Sequence, residues 1–459
     1  MFKEYDYENQ PIVDIVNGML TDAARKSASD IHFEPTPTIL NVRIRVDGEL
    51  ILYAKVPESV KRNLITRVKI ISGMNITESR VPQDGAIKMQ IDGHDIDFRV
   101  STLPIVYGEK VVVRILDYTA NLSTLDTLGF SDKNLDKIQK AISKPNGIIL
   151  VTGATGTGKS TTVYAMLEQL NTMERNVVTV EDPVEMKILG INQVQVMSEI
   201  GLTFANALRS ILRQDPDIIM IGEIRDNETA RIAVRASITG HLVLSTIHTN
   251  NSLTTIERLT DMDVERYLLG SALEAIVSQR LCKKLCPKCR AARDTTPYEK
   301  RVFKEALGME INQIYKPVGC NGCYKGYSGR IALQEVLLLN QDIRDAIVND
   351  SPKEQIRNLI YQNGNTTSLL DDGLIKVING LTSFEEVLRV IDVEDDLGDE
   401  QNELKNAIIG RKAPEKKQEQ PVSSQKRQEP EESRTQKSGR NEDVNPQIEK
   451  LLTGLGIFV

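Results

Sequence analysis

The stretch GATGTGKST (Gly153–Thr161) decides the fold, because it fits the phosphate-binding pattern G-x-x-x-x-G-K-[ST]. It follows the apolar run GIILV (147–151) and precedes STTVYAMLEQL (160–170), a predicted strand and a predicted helix. Its glycines allow backbone N–H groups to curl around phosphate, and the N-terminus of the helix adds positive potential. The segment therefore predicts a site for a nucleoside triphosphate.

The candidate nucleotide-binding residues are consecutive: Gly153, Ala154, Thr155, Gly156, Thr157, Gly158, Lys159, Ser160 and Thr161. Lys159 is expected to reach the β and γ phosphates of ATP, and Ser160 to ligate Mg²⁺. Three more apolar runs, NVVTV (176–180), DIIMI (217–221) and HLVLST (241–246), alternate with helical stretches. This alternation predicts an α/β fold with a parallel sheet.

Polar residues follow each of these runs: Glu181 and Asp182 follow the first, Glu223 the second and His248 the third. Because ligands of parallel sheets bind at the carboxyl ends of the strands, we expect Glu181, Glu223 and His248 to face the Lys159 pocket. Taken singly, each has an alternative interpretation as a capping acid or a core histidine. Most P-loop enzymes carry an aspartate where Gly222 stands here.

All five cysteines lie between Cys282 and Cys323, a clustering that indicates metal binding rather than disulfides. Cys286 and Cys289 form one C-x-x-C pair, and Cys320 and Cys323 form another, which is the pattern of a structural tetrahedral Zn²⁺ site. An iron–sulfur motif beginning at Cys282 fits the spacing but leaves the second pair unexplained. We expect Cys282 to be a buried apolar residue on a helix before the first pair.

The composition of the chain excludes some classes of function. The net charge of −7 argues against a protein built around nucleic-acid backbone, and no apolar run approaches the ~20 residues that span a bilayer. The N-terminus has no apolar signal-peptide core, so we expect a cytoplasmic chain. Basic residues surround the cysteine pairs: Arg280, Lys283, Lys284, Lys288 and Arg290. They are expected to form a solvated face, with contact to phospholipid or nucleic acid as the alternative.

Six segments are predicted along the chain. Residues 1–118 form a small α+β domain with hairpin turns at Asp47-Gly48 and Asp92-Gly93, and residues 119–281 form the P-loop core. Residues 282–330 form the cysteine module and residues 331–397 a helical part. Residues 398–447 are polar and predicted to be disordered. In the terminal segment 448–459, Ile448, Leu451, Leu452 and Leu455 have helical spacing, typical either of a tethered docking motif or of a frayed terminus.

From residue 8 to about residue 395 the sequence resembles the ATPases of type II secretion and type IV pilus assembly. The motifs that carry this resemblance, besides the P-loop and the cysteine pairs, are ASDIHFEP (28–35), VPQDG (81–85), RVSTLPIVYGEKVVVRIL (99–116), TVEDPVE (179–185), LRQDPDIIMIGEIRD (212–226) and TGHLVLSTIHTN (239–250). The family normally carries Gly-Glu at the positions of Gly222 and Glu223.

The resemblance implies a RecA-like core preceded by a PAS-like domain, with a zinc-binding insertion and a helical C-terminal part. It implies a homo-hexamer at the cytoplasmic face of the inner membrane, where ATP hydrolysis drives an inner-membrane platform protein that assembles a pilus or pseudopilus. His248 would sense the γ-phosphate. Arg99 and Arg114 match arginines that act on a neighbouring subunit's nucleotide, with surface ion pairs as the alternative.

Without the aspartate, magnesium would be held by Ser160, the phosphates and waters bound by Glu223, which leaves Glu181 to polarise the attacking water. The exchange of these roles fits the sequence equally well.

Three other functions compete with an assembly motor. A nucleic-acid translocase or helicase is disfavoured by the negative charge and the few aromatic residues, and we expect no stable nucleic-acid partner. A pilus-retraction motor is disfavoured by the cysteine pairs, which retraction members generally lack. An ATP-gated scaffold with little turnover also remains. The choice among secretion, pilus and competence systems is open.

Overall fold

The N-terminal residues form a six-stranded antiparallel sheet with two helices. The computed structural model describes residues 2–117, 124–361 and 366–391, so the predicted segments 398–447 and 448–459 lie outside the described residues. The elements of this first part are α1 (Ile12–Arg25), β1 (Asp30–Pro35), β2 (Ile39–Val46), β3 (Glu49–Pro57), α2 (Glu58–Ile71), β4 (Gln83–Ile91), β5 (His94–Ile105) and β6 (Gly108–Asp117). The strand order is β3-β2-β1-β6-β5-β4.

Alternation along β1 explains how this sheet presents two different faces. Ile31 and Phe33 are fully buried in the same core as the apolar residues of α1 and α2. Since successive strand residues point to opposite faces, Asp30, His32 and Glu34 lie on the other face. The two predicted hairpin turns are confirmed, because each Asp-Gly pair has positive φ at both positions.

The second part begins with α3 (Asp132–Ile142) and is built on a seven-stranded sheet. Its elements up to the sixth strand of this sheet are β7 (Gly147–Thr152), α4 (Lys159–Leu170), β8 (Val177–Glu181), β9 (Asn192–Gln195), α5 (Phe204–Ile211), β10 (Ile218–Ile221), α6 (Asn227–Ile238), β11 (Leu242–Ile247), α7 (Ser252–Asp261), α8 (Arg266–Ala272) and β12 (Leu273–Leu285). Residues of β7 alternate between two buried clusters, so the sheet is covered on both faces.

The remaining elements complete the sheet and add the cysteine module and the C-terminal helices. They are β13 (Ala291–Asp294), α9 (Pro297–Leu307), β14 (Gln313–Lys316), β15 (Tyr327–Leu338), α10 (Gln341–Val348), α11 (Lys353–Tyr361), α12 (Leu369–Ile378) and α13 (Phe384–Val390). The large sheet has the order β15-β12-β7-β11-β10-β8-β9, parallel except for the antiparallel β12–β15 pair. The α/β fold with a parallel P-loop core is confirmed.

The large sheet extends beyond the predicted boundary at residue 281. That boundary falls inside β12, and Cys282 lies on this strand, so its predicted helical placement is wrong. The segment LEAIVSQRLCKKL is rich in good helix formers, yet pairing with β7 and β15 overrides this weak preference. Among the described residues, none of the helices combines the length and the apolar character needed to cross a bilayer.

If β15 is an integral strand of this sheet, truncation of its buried Leu333 will destabilise the protein. Leu333 is fully buried, so Leu333→Ala is expected to cost about 2–5 kcal/mol through lost contacts and a cavity. The matched control is Leu189→Ala, at a loop residue that is 95% exposed, with a change within about 0.5 kcal/mol. Denaturant midpoints of the full chain measure both, and equal midpoints would contradict the assignment.

Candidate active site

A cavity of about 540 Å³ opens where the parallel strands end. Six of the predicted nucleotide-binding residues line it: Thr155, Gly156, Gly158, Lys159, Ser160 and Thr161. Glu181, Glu223 and His248 line the same cavity, as do Arg99 and Arg114 from the N-terminal sheet. The structure thus brings together the residues that the sequence placed on separate strand ends and on two separate domains.

The other three residues of the phosphate loop shape its backbone. Lys159 donates through Nζ to the carbonyls of Gly153 and Ala154, at 2.8 and 3.0 Å, and the Thr157 hydroxyl donates to the Ala154 carbonyl. Gly153 has φ +151°, and an added Cβ there would lie 2.5 Å from the Gln279 carbonyl oxygen. Only glycine fits this position.

Lys159 supplies a buried cation at the N-terminus of α4. Burial lowers its pKa, the charge of Glu223 opposes this effect, and the nearby Arg280 cation adds to it. The Lys159 ammonium donates to the carbonyl oxygens of Gly153 and Ala154. When ATP binds, phosphate oxygens can accept these hydrogen bonds instead, and the helix α4 need not move. The helix N-terminus and the lysine together make this wall of the cavity electropositive.

The Glu223 carboxylate is positioned by the Arg225 guanidinium and the His248 imidazole. Its Oε1 lies 2.5 Å from Arg225 Nη2, and its Oε2 lies 3.1 Å from His248 Nε2. Burial raises the pKa of Glu223, but the hydrogen bonds and charges of Arg225 and His248 outweigh it and leave the pKa lowered. Glu223 is therefore ionised at neutral pH and able to accept a hydrogen bond from water.

Glu181 is in a different state, because its carboxylate is buried and accepts three hydrogen bonds. The donors are the Tyr164 hydroxyl, Thr179 Oγ1 at 2.6 Å and Gln193 Nε2 at 3.1 Å. A carboxylate can accept about four hydrogen bonds, so these donors leave little room for water. The expected role of Glu181 in polarising the attacking water stays a prediction.

Arg99 and Arg114 line the cavity of their own chain. Their expected action on a neighbouring subunit's nucleotide stays a prediction. Arg99 Nη2 donates to the Val184 carbonyl at 3.1 Å, and Arg114 Nε donates to Asp30 Oδ1 at 3.1 Å. The two residues are directly opposite each other on β5 and β6. Both arginines lie on the wall that faces the phosphate loop.

Sequence reasoning missed three residues that complete the site. Arg225 and Arg330 line the cavity, and Gln279 braces the phosphate loop by donating to the Thr157 carbonyl and accepting from the Thr162 hydroxyl, each at 2.8 Å. Arg225 follows Glu223 by two residues, a signal that was available. Arg330 and Gln279 come from β15 and β12, whose pairing is not visible in local sequence.

The expected solvated face of basic residues is only partly present. Arg280 is buried and donates to Asn250, while Lys283 forms ion pairs with Glu49 and Glu386. Arg290 donates to the Gly380 carbonyl and stacks over the Tyr315 ring. Lys284 and Lys288 are exposed, as expected. Two of the basic residues therefore tie the cysteine module to the C-terminal helices.

The cysteine module places four sulfurs in one cluster. The Sγ atoms of Cys286, Cys289, Cys320 and Cys323 all lie within 4.8 Å of one another, and three of the separations are 3.7, 3.7 and 4.0 Å. Tetrahedral Zn²⁺ with Zn–S bonds of ~2.3 Å requires sulfurs about 3.8 Å apart, so the four residues fit zinc. Cys282 is buried elsewhere, near the Ile331 carbonyl, and burial raises its pKa to about 11.

The sequences of known secretion and pilus proteins are similar to this chain. The family model described as "Type II/IV secretion system protein" matches residues 6–389. Type II secretion system protein E of Aeromonas hydrophila is 47% identical over 387 residues, covering 83% of this chain and 76% of the relative. The type IV pilus assembly ATPase PilB of Acinetobacter baylyi is 44% identical over 387 residues, covering 83% of this chain and 67% of that one.

Two solved structures of similar fold are described as an ATPase and a motor. The ADP-bound pilus retraction motor PilT has a TM-score of 0.58 at 26% identity, covering 85% of this chain and 99% of that one. The Legionella pneumophila ATPase DotB has a TM-score of 0.63 at 23% identity, covering 83% of this chain and 96% of that one, and supports the fold alone.

A parallel P-loop sheet whose strand ends surround a phosphate loop defines a nucleoside triphosphatase, and the relatives make ATP its substrate. The chain belongs to the type II/IV secretion system protein family, whose members are secretion and pilus ATPases. The resemblance inferred from the motifs is confirmed. ATP and Mg²⁺ use follow from membership of this family, and the cysteine cluster is compatible with zinc.

Metal content provides a test of the ligand set. The purified chain is expected to carry one zinc ion, which Cys289→Ser loses and the matched control Cys282→Ser keeps, because only Cys289 belongs to the sulfur cluster. Elemental analysis of the three proteins measures the metal, and thermal unfolding should show a lower midpoint for Cys289→Ser. Iron in the parent, or zinc loss in Cys282→Ser, would refute the assignment.

Proposed function

We propose that this chain is a subunit of a hexameric ring that converts ATP hydrolysis into motion for assembling a type IV pilus or a type II secretion pseudopilus. The observation that carries this proposal is the shared cavity, which the phosphate loop of the core and two arginines of the N-terminal sheet line together. Nucleotide bound there contacts both parts of the chain, so its hydrolysis changes the forces between them.

ATP binding relies on the phosphate loop and on the arginines. Backbone N–H groups of residues 153–161 and Lys159 hold the β and γ phosphates, and Ser160 would hold Mg²⁺, whose charge neutralises the phosphate oxygens. Arg99, Arg114 and Arg330 add positive charge from the opposite wall. After hydrolysis and phosphate release, the attraction between the γ-phosphate and the two N-terminal arginines is lost, which permits the N-terminal sheet to move.

Hydrolysis requires an acceptor that orients the attacking water or the waters on the magnesium. Glu223 is favoured for this role, since it is ionised, lines the cavity and is held by Arg225 and His248. His248 is hydrogen-bonded to that carboxylate and is suited to report the presence of the γ-phosphate. Glu181 already accepts three hydrogen bonds, so its carboxylate is less available to water than that of Glu223.

Assembly is favoured over retraction by two observations. The relatives named for type II secretion and pilus assembly are 43–47% identical, against 26% for the retraction motor. The cysteine cluster is also present, which the retraction class generally lacks. We further propose that the ring acts at the cytoplasmic face of the inner membrane on a platform protein, with membrane association through that partner and no stable nucleic acid.

Replacing Glu223 by glutamine tests the proposed motor. Glu223→Gln is isosteric and removes only charge, so it should retain ATP binding while kcat falls at least about 100-fold. The matched control is Glu228→Gln, which removes an exposed carboxylate paired with Arg209 outside the cavity. Hydrolysis by the purified ring and filament assembly in the producing strain are the two measurements.

Each outcome of this test has a defined meaning. Normal hydrolysis by Glu223→Gln would refute the assigned role of this carboxylate. Lost hydrolysis with normal filament assembly would refute the motor and favour a scaffold. Hydrolysis stimulated by DNA in the parent would instead support the nucleic-acid translocase.

The arrangement of the arginines within one chain predicts the behaviour of mixed rings. Arg114→Ala should strongly lower, and Lys159→Ala abolish, hydrolysis at a subunit's own site, so mixing them should restore no hydrolysis above the average of the two pure variants. Hybrid assembly is verified first, for example by copurification through two different tags. Recovery of activity in verified mixed rings would show that Arg114 serves a neighbouring subunit instead.

A further inference from the structure

A row of charged residues crosses the N-terminal sheet in one register. Asp30 on β1 pairs directly with Arg45 on β2 and with Arg114 on β6, and Arg114 in turn pairs with Arg99 on β5. Residues paired in this way project from the same face of a sheet. The row therefore holds three guanidinium groups and a single carboxylate.

Two of the three guanidinium groups are directly opposite each other, an arrangement that is unfavourable in the absence of an anion. Like charges at paired positions of an antiparallel sheet repel, and both Arg99 and Arg114 line the cavity. Arg99 is held by a carbonyl, which offsets little charge. Asp30 is the carboxylate that offsets the charge of Arg114 within this row.

Asp30 is held in place by its surroundings. The residue is 8% exposed, its Oδ2 accepts from the Ser29 hydroxyl at 2.8 Å, and the same oxygen lies 3.6 Å from Arg45 Nε. Its other oxygen, Oδ1, accepts from Arg114 Nε at 3.1 Å. Asp30 Oδ2 thus contacts Ser29 and Arg45, and Asp30 Oδ1 contacts Arg114.

The atom of Arg114 that Asp30 engages matters for chemistry. A guanidinium has five N–H donors, and only one of them is on Nε. Holding Nε restricts the plane of the group, while its two terminal nitrogens make no hydrogen bond to the described residues. The side chain is 63% exposed and lines the cavity, so without this anchor it has many rotamers to lose on engaging a phosphate.

We propose that Asp30 is a positioning residue for hydrolysis: it fixes the Arg114 guanidinium so that its terminal nitrogens meet the transferring phosphoryl group. This inference rests on the role of Arg114 in the proposed function. Asp30 acts through Arg114, and its contribution is to the transition state more than to the binding of ATP, since Lys159 and the loop hold the ground-state phosphates.

The neighbouring pair on the same strand provides a matched control. Glu34 lies four residues along β1 on the same face and accepts from Arg43 at 2.6 and 2.8 Å and from Lys110 at 3.2 Å. Neither of its partners lines the cavity. Glu34→Gln removes an equivalent carboxylate from the same sheet without touching Arg114.

Asp30→Asn is expected to lower kcat about tenfold, as for loss of one charged hydrogen bond, and to change the affinity for a non-hydrolysable ATP analogue less than about threefold. Glu34→Gln should keep parent kcat within about twofold. In the Arg114→Ala background, Asp30→Asn should have no further effect, because the residue it positions is gone. Arg45 Nε lies 3.6 Å from Asp30 and makes no hydrogen bond to it, so Arg45→Gln should change kcat less than about twofold.

Several results would overturn this inference. Parent-like hydrolysis by Asp30→Asn, an undiminished effect of Asp30→Asn on top of Arg114→Ala, or an equal loss in Arg45→Gln would each do so. If Asp30→Asn does not fold, Ser29→Ala replaces it, with an expected drop of about threefold in kcat, again absent in the Arg114→Ala background. Parent-like hydrolysis by Arg114→Ala would refute both this inference and the role of Arg114 in the proposed function.

Discussion

The parallel pairing of β7, β11, β10 and β8 is the constraint on which the rest of the molecule depends. Thr152 at the end of β7 pairs with Ile247, so the phosphate loop and His248 begin at the same edge of the sheet. Ile221 pairs with both Ser245 and Val180, which brings Glu223 and Glu181 to that edge as well. A shift of one residue in any of these pairings would move a polar side chain from the cavity into an apolar layer.

β15, the outermost strand of the large sheet, links the cavity to the other parts of the chain. Arg330 lines the cavity, while the adjacent Gly329 donates its N–H to Asp47 Oδ2 at 3.0 Å in the β2–β3 hairpin. On the paired strand β12, Lys283 forms an ion pair with Glu49 of the same hairpin. The N-terminal sheet is thus docked against the strands that flank the cysteine module, and this docking holds Arg99 and Arg114 over the phosphate loop.

Local patterns predicted much of the fold and the core of the candidate site. The phosphate loop, four central strands, both Asp-Gly turns and the sulfur cluster follow from short-range spacing, because glycine conformation, burial and metal geometry act over a few residues. Apart from Arg225, the site residues that the sequence analysis missed depend on pairing between distant segments. Gln279, Cys282 and Arg330 owe their positions to β12 and β15, which come together across the whole cysteine module. Of the hydrogen bonds to Glu181, the one from Thr179 is local, whereas those from Tyr164 and Gln193 come from other elements and have no local signal.

The position of the sulfur cluster has a thermodynamic consequence for the edge of the sheet. Cys286 directly follows β12 and Cys323 lies four residues before β15, so a metal held by the cluster closes the long connection between two antiparallel strands. Closing it in advance removes most of the chain entropy that their pairing otherwise costs. The free energy that keeps Arg330 at the cavity then becomes linked by mass action to the free concentration of the ion. A shortage of metal in the cell would therefore weaken the enzyme through its scaffold, with the phosphate loop itself intact.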